Sequence, residues 1–216
     1  LKSQDVGKLL VLPLYPQYAG SSTGAALDKV WREILAQRNQ MSVCSISRFY
    51  DHPAYIRALA QQIHNYRAQH GSGDLLMFSF HGIPQRHNDL GDPYPDECRR
   101  TAQLTAKELG LTEKDYVVSF QSRFGKNKWI EPSTQALFST LPKKQGVRRL
   151  DVICPGFVSD CLETMEEIAI AGREQFHAAG GEQFHYIPCL NDNPEFLDAL
   201  VRILQDNSTW LSAAES

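Results

Sequence analysis

The chain has 216 residues, 42% of them hydrophobic and 22% charged, which is enough for a sizeable core in an ordinary globular protein. Its net charge is −3 with both signs interspersed, so nothing marks a nucleic-acid surface or a polyanion site. No apolar run reaches the roughly 18–20 residues of a membrane span and no signal-peptide core is evident, so a soluble protein without a transmembrane segment is expected.

Leu9, Leu10, Val11 and Leu12 form a short apolar run closed by Pro13, the pattern of a strand buried on both faces. Ser21, Ser22 and Thr23 offer caps for a helix whose stripe is Leu27, Val30, Trp31, Ile34 and Leu35. A second strand fits 42–49. The next helix starts near Pro53, carries Ile56, Leu59, Ala60 and Ile63 on one face, and ends near Gly71.

The cycle then repeats. Strand 75–80 leads through a polar loop to a helix over 96–109, stopped by Gly110. Strand 116–120 leads to a helix near 133–141, and strand 150–154 to a helix over 161–178 ended by Gly180-Gly181. Strand 184–187 leads to a last helix with Phe196, Leu197, Leu200, Val201 and Leu204 as its apolar stripe; the tail from Asn207 to Ser216 is expected to fray. Six strand-then-helix units predict an α/β fold, a parallel sheet flanked by helices on both faces, in a Rossmann-type three-layer sandwich. Ligands of such sheets bind beyond the carboxyl ends of the strands, which directs attention to the loops 13–20, 81–95, 121–131, 155–163 and 188–194.

The five cysteines, Cys44, Cys98, Cys154, Cys161 and Cys189, are odd in number and form neither a CxxC pair nor a zinc-finger spacing. They fit reduced thiols in a cytoplasmic protein, packing as small buried hydrophobes. The chain begins Leu1-Lys2-Ser3, without Met, so an internal boundary and a missing N-terminal part are expected.

Two segments concentrate chemistry. His81 ends a strand, and Gly82 and Pro84 force a turn directly after it. An imidazole there, with an unperturbed pKa of about 6.5, serves either as a base or metal ligand or as a structural cap on the strand end. In Cys154-Pro155-Gly156-Phe157-Val158-Ser159-Asp160-Cys161-Leu162-Glu163, a strand gives way to a Pro-Gly turn and to a helix opened by Ser159 or Asp160. Glu163 then lies in the first turn, and Glu167 shares its face one turn on, with Asp160 close by. Acids in a first turn are ordinary capping partners; stacked, they could also pass a hard divalent cation between them. Imidazole and carboxylate at one sheet edge suit Fe²⁺, and equally suit removal of protons from a substrate that then binds metal.

Five motifs, in order, resemble the ferrochelatase family. They are Leu14-Tyr15-Pro16-Gln17-Tyr18 with Ser21-Ser22-Thr23-Gly24; Ser79-Phe80-His81-Gly82-Ile83-Pro84; Gly91-Asp92-Pro93-Tyr94-Pro95; Phe120-Gln121-Ser122-Arg123-Phe124-Gly125 with Trp129; and Cys154-Pro155-Gly156-Phe157 with Asp160-Cys161-Leu162-Glu163-Thr164. The resemblance spans nearly the whole chain and fits the bacterial branch best.

The resemblance implies a chelatase-like fold and insertion of ferrous iron into protoporphyrin IX, the terminal step of heme biosynthesis. His81 and Glu163 are then similar to the family's catalytic, iron-contacting pair. Glu167 and Asp160 would form a secondary metal or proton path, and Tyr15, Gln121, Ser122 and Trp129 would stand around the macrocycle. Porphyrin and Fe²⁺ are the implied partners, with iron as substrate and no permanently bound cofactor. Some members carry an iron–sulfur cluster on cysteines near the C-terminus; the stretch from Leu190 to Ser216 has none, so no cluster is expected. The family also implies a division into a C-terminal α/β domain (1–190), a helix (191–206) packing on an absent N-terminal domain, and the tail (207–216). Two other readings stand beside this one: a type II chelatase placing cobalt or nickel in a sirohydrochlorin-like ring, and a tetrapyrrole- or metal-binding lobe without turnover.

Overall fold

A computed structural model describes residues 4–212. Six strands, all parallel, alternate with helices: β1 (Lys8–Val11), α1 (Ala25–Leu35), β2 (Ser42–Ser45), α2 (Pro53–His70), β3 (Leu75–His81), α3 (Gln85–Asp89), α4 (Tyr94–Glu108), β4 (Tyr116–Gln121), α5 (Thr134–Gln145) and β5 (Arg149–Ile153). Then come α6 (Leu162–Thr164), α7 (Arg173–Ala178), β6 (Gln183–Tyr186), α8 (Pro194–Asn207) and α9 (Thr209–Ser212). A π-helical segment, Met165–Gly172, joins α6 to α7, and another, Gly20–Gly24, leads into α1.

The side-chain alternation of β3 builds the three layers. Leu76, Phe78 and Phe80 point into one core cluster with Tyr55, Leu59 and Ile63 of α2 and Cys98 and Ala102 of α4. Leu75 and Met77 point into the other, with Phe138 and Leu141 of α5, Ile168 and Phe176. A period of two on a strand covered on both sides is the reason this run carries hardly a polar residue.

The expected single sheet is two. The main sheet has the order β4-β3-β5-β6, while β1 and β2 pair only with each other, from Lys8 opposite Ser42 to Val11 opposite Ser45. Both strands of the small sheet are short and only half-buried, and β2 reads Ser-Val-Cys-Ser, with too little apolar surface to be an inner strand.

Other boundaries shift by a few residues. Strand β2 stops four residues before the expected 49, and the polar loop after β3 contains the short helix α3. Helix α6 is capped by Cys161, not by Ser159 or Asp160. His52 caps α2 by accepting from Ala54 N–H at 3.3 Å, and Pro53 fills the first helical position.

Helix α8 packs on α2 through Phe196, Ala199 and Ile203, with Leu200 and Leu204 half-buried. Leu197 and Val201, on the predicted stripe, are exposed instead. Within the expected frayed tail, Thr209–Ser212 is helical, Ser208 is buried, and Lys8 Nζ lies 5.5 Å from the centre of the Trp210 ring; residues 213–216 and 1–3 fall outside the described residues. Among the cysteines, Cys98, Cys154 and Cys189 are buried thiols as expected, but Cys44 and Cys161 are only half-buried.

Candidate active site

A cleft of about 330 Å³ opens at the carboxyl end of the main sheet, lined by Tyr15, Gln17, His81, Tyr94 and Phe157 among others. The forecast from topology therefore holds for three loops, those around residues 15–22, 81–94 and 156–157. The volume lies in the range of small-molecule sites, about 300–1,000 Å³.

His81 is the last residue of β3, which is held by β4 on one side and β5 on the other. Its Nδ1 is 2.7 Å from the carbonyl of Gly82. A carbonyl only accepts, so Nδ1 carries the hydrogen in that bond, and the neutral ring keeps its lone pair on Nε2. Behind the imidazole the packing is close. A Cβ on Gly82 would lie 2.9 Å from the Gln121 carbonyl and 3.1 Å from Cε3 of Trp129, so only glycine fits.

Glu163 stands exposed in the first turn of α6, within electrostatic reach of His81. Its own backbone N–H first, then the Cys161 thiol, hold its carboxyl below the ordinary range; slight burial opposes them and His81 adds to them. The lone pair of His81 Nε2 and the Glu163 carboxylate thus lie within electrostatic reach of each other at one sheet edge.

The other predicted residues sit differently. Tyr15 lines the cleft, half exposed. Gln121, placed around the macrocycle by the resemblance, has 0% exposure and cannot touch a ligand in the cleft as it stands. Its Oε1 accepts from Ser79 Oγ at 2.8 Å, and its Nε2 donates to the carbonyl of Glu163 at 2.8 Å. It is a buried strut from the sheet to the start of α6. Trp129 is buried too, donating Nε1–H to the Phe124 carbonyl at 3.1 Å and backing Gly82.

Ser122 is half-buried with φ 62°, in the left-handed region, and both its N–H and its hydroxyl bind Glu167, at 2.7 and 2.6 Å. Gln135 Nε2 also donates to Glu167 Oε1. Asp160 accepts from Asn191 Nδ2 at 2.8 Å, the Cys189 N–H at 3.2 Å and the Tyr186 hydroxyl. Burial works against its charge, but these donors outweigh burial and hold the carboxyl below its usual range. Among the described residues, no group of three or more His, Cys, Asp or Glu side chains is placed to hold a metal ion.

Eight lining residues were given no site role in the sequence, among them Gln17, Tyr94, Gly156 and Phe157, which lie in the quoted motifs. Gln17 is buried and bonds Thr101 Oγ1 at 3.0 Å. The lip that carries Tyr15 is tied to the start of α4, because Tyr18 N–H donates to Glu97 at 2.7 Å and Gly20 N–H to Asp92 at 2.8 Å. Gln135 had no signal at all, being one more polar residue in an amphipathic helix.

The parallel α/β sandwich is a chelatase-like fold. Structures of SirB from Bacillus subtilis share it: one described as with Fe³⁺ superposes with TM-score 0.66 at 13% identity, over 99% of this chain and 76% of that one. Another, the sirohydrochlorin chelatase SirB from B. subtilis subspecies spizizenii in complex with cobalt, gives TM-score 0.66 at 9% identity, over 95% and 71%. The chain belongs to the ferrochelatase family, whose model matches residues 1–208. The chain is 65% identical over 207 residues to the ferrochelatase of Neisseria gonorrhoeae, covering 96% of this chain and 61% of that protein. It is 50% identical over 211 residues to that of Hydrogenovibrio crunogenus, covering 97% and 56%. The chain thus spans about three-fifths of the length of the curated relatives it matches.

Proposed function

We propose that the protein inserts ferrous iron into protoporphyrin IX, with porphyrin and Fe²⁺ as its substrates, in the cytoplasm and as the terminal step of heme biosynthesis. The observation that carries this reading is His81, whose Nδ1 is committed to Gly82 while Nε2 keeps its lone pair in the cleft, with Glu163 in electrostatic reach.

Metal insertion releases two pyrrole protons as one Fe²⁺ enters, so the site must take up protons and stabilise positive charge together. In this proposal His81 Nε2 accepts one pyrrole proton and passes it to solvent before it takes the second, and Glu163 supplies the compensating negative charge and a contact for the incoming cation. Tyr15 and Phe157 offer ring surface to the macrocycle. Gln121, Ser122 and Trp129 act from behind, holding the carrier segments of the pair. Glu167 and Asp160, already saturated by protein donors, are assigned to positioning and left as a secondary path only if those bonds open. No iron–sulfur cluster belongs to the proposal.

The exposed Leu197 and Val201 of α8 are proposed to pack on a domain N-terminal to these residues, which leaves 1–190 as the C-terminal α/β domain. The family membership favours iron over cobalt or nickel, and over a lobe that binds without turnover. The decisive experiment is an anaerobic assay of the full-length protein with Fe²⁺ and protoporphyrin IX. Absence of heme there, with product from Co²⁺ and sirohydrochlorin, would overturn the reading; porphyrin binding with neither product would leave the binding lobe.

A further inference from the structure

Gly156, unlike Gly82, is a glycine that the protein itself does not require. It stands in a turn from Cys154 to Phe157, closed by the Phe157 N–H donating to the Cys154 carbonyl at 3.0 Å. A Pro-Gly pair at the centre of a turn commonly goes with a positive φ at the glycine. Here the φ of Gly156 lies outside the left-handed region, so the backbone places no bar on an L side chain. The space is open as well. A Cβ on Gly156 would have Phe80 Cδ1 at 3.4 Å, the Tyr94 hydroxyl at 3.5 Å and Gln17 Oε1 at 3.7 Å as its nearest neighbours, all ordinary van der Waals contacts. At Gly82 the same atom would run into the Gln121 carbonyl at 2.9 Å.

What a side chain at 156 would fill is the cleft. Gly156 is half-buried in its wall, and two of those three neighbours, Gln17 and Tyr94, line it too. The turn is pinned from behind, because the buried Tyr55 donates its hydroxyl to the Pro155 carbonyl at 2.5 Å. The neighbours are equally fixed: Phe80 is fully buried, and Gln17 Nε2 donates to Thr101 Oγ1 at 3.0 Å. Wherever alanine fits, glycine makes the fold less stable, since it loses more chain entropy on folding. With φ and packing both permissive, the remaining use of a glycine is the close approach of backbone to a ligand.

We propose that Gly156 is a specificity-determining residue: the aromatic macrocycle packs directly on its bare peptide group, in a van der Waals contact that any side chain would block. Phe157, next in the chain, and Tyr15 line the same cleft and extend that surface. The inference rests on the porphyrin reading given above and deepens it, since it names the stretch of wall that admits a flat ring system.

The test uses the full-length protein with protoporphyrin IX as the probe, read by fluorescence titration and by melting temperature. Gly156→Ala should melt at or above the parental temperature yet bind the porphyrin about tenfold more weakly, the effect of one misplaced carbon in an apolar pocket. In the anaerobic assay its KM for porphyrin should rise while its KM for Fe²⁺ stays put. Gly156→Leu, which fills more of the cleft, should show no detectable porphyrin binding; if it fails to fold, Gly156→Ala decides alone. Parental porphyrin affinity in Gly156→Ala, or a lowered melting temperature there, would overturn the role, the second by showing that the fold needs this glycine after all. The two readings fail separately. A parent that binds porphyrin and makes no heme sinks the reaction while the titration still decides Gly156, and a parent that binds no porphyrin sinks both.

Discussion

Ser122 gives both its backbone N–H and its hydroxyl to the Glu167 carboxylate, at 2.7 and 2.6 Å, from a left-handed backbone at φ 62°. A non-glycine residue keeps such a conformation when its surroundings over-determine it. Replacing Glu167 by Gln leaves one acceptor oxygen facing donors that now require two. The variant should lose about 1–3 kcal/mol of stability in urea denaturation, the cost of orphaned donors to a charged group. Ser122→Ala, which keeps the N–H, should lose only about 1 kcal/mol.

His81 supports little packing, since the imidazole is half-exposed in the cleft. His81→Ala should therefore abolish iron insertion while melting within a few degrees of the parent. Glu163→Gln keeps shape and removes charge, and most of the rate should go with it. Near-parental activity in either variant, in the anaerobic assay, would remove that residue from the proposed mechanism.

Gly82→Ala tests the wall behind His81. The new methyl would meet the Gln121 carbonyl at 2.9 Å and Trp129 at 3.1 Å, neither being the end of a flexible chain. Overpacking of this sort costs about 1–3 kcal/mol. Because Gly82 follows His81 directly, its carbonyl accepts from the imidazole and its N–H bonds the Gln121 carbonyl at 2.8 Å, kcat should fall by more than stability alone accounts for, measured well below the melting temperature.

Asp74 sets a pH dependence away from the cleft. The N–H of Arg149, at 2.8 Å, leads in holding its carboxyl below the ordinary range; burial opposes, and the Arg148 N–H and the Arg149 guanidinium add to the effect. A carboxyl depressed in the folded state contributes stability above its unfolded pKa of about 3.9 and loses it as pH falls through the folded value. The stability difference between the parent and Asp74→Asn should be level from pH 7 to about pH 5 and shrink on further acidification. A difference that grows in acid would refute the assignment.

The outer face of α8 gives a prediction about association. If Leu197 and Val201 dock on a preceding domain, the 216-residue chain made alone leaves them bare, each forgoing on the order of 1.5–3 kcal/mol of burial. It should self-associate in sedimentation, and Leu197→Lys with Val201→Lys should return it to a monomer. A monodisperse parental chain would show that this face needs no cover.

The alternation of strands and helices was legible because runs such as β3 are apolar on both faces, and only a sheet covered twice demands that. The separation of β1 and β2 was not: a four-residue run such as Leu9–Leu12 reads alike in either sheet, and pairing is decided by what lies alongside. In the site, His81 and Glu163 could be placed because a Gly and Pro turn and a first helical turn fix where they stand. Gln121 could not, since a glutamine at a strand end reaches a ligand or a buried partner equally well. Its neighbours Ser79 and the Glu163 carbonyl, 42 residues away on either side, made the choice. Helix α3 was missed because five residues are too few to show a period.

The small sheet is also where the chain's distant parts meet: Cys44 of β2 donates to the Asn207 carbonyl, His52 reaches Asp206 at 3.1 Å, and Lys8 covers Trp210. Within these residues β1, β2 and α2 are synthesised some 140 residues before α8, which covers them. The main sheet has no such delay beyond its own crossovers. Within the described residues, the small sheet is thus the part that stays uncovered until α8 arrives.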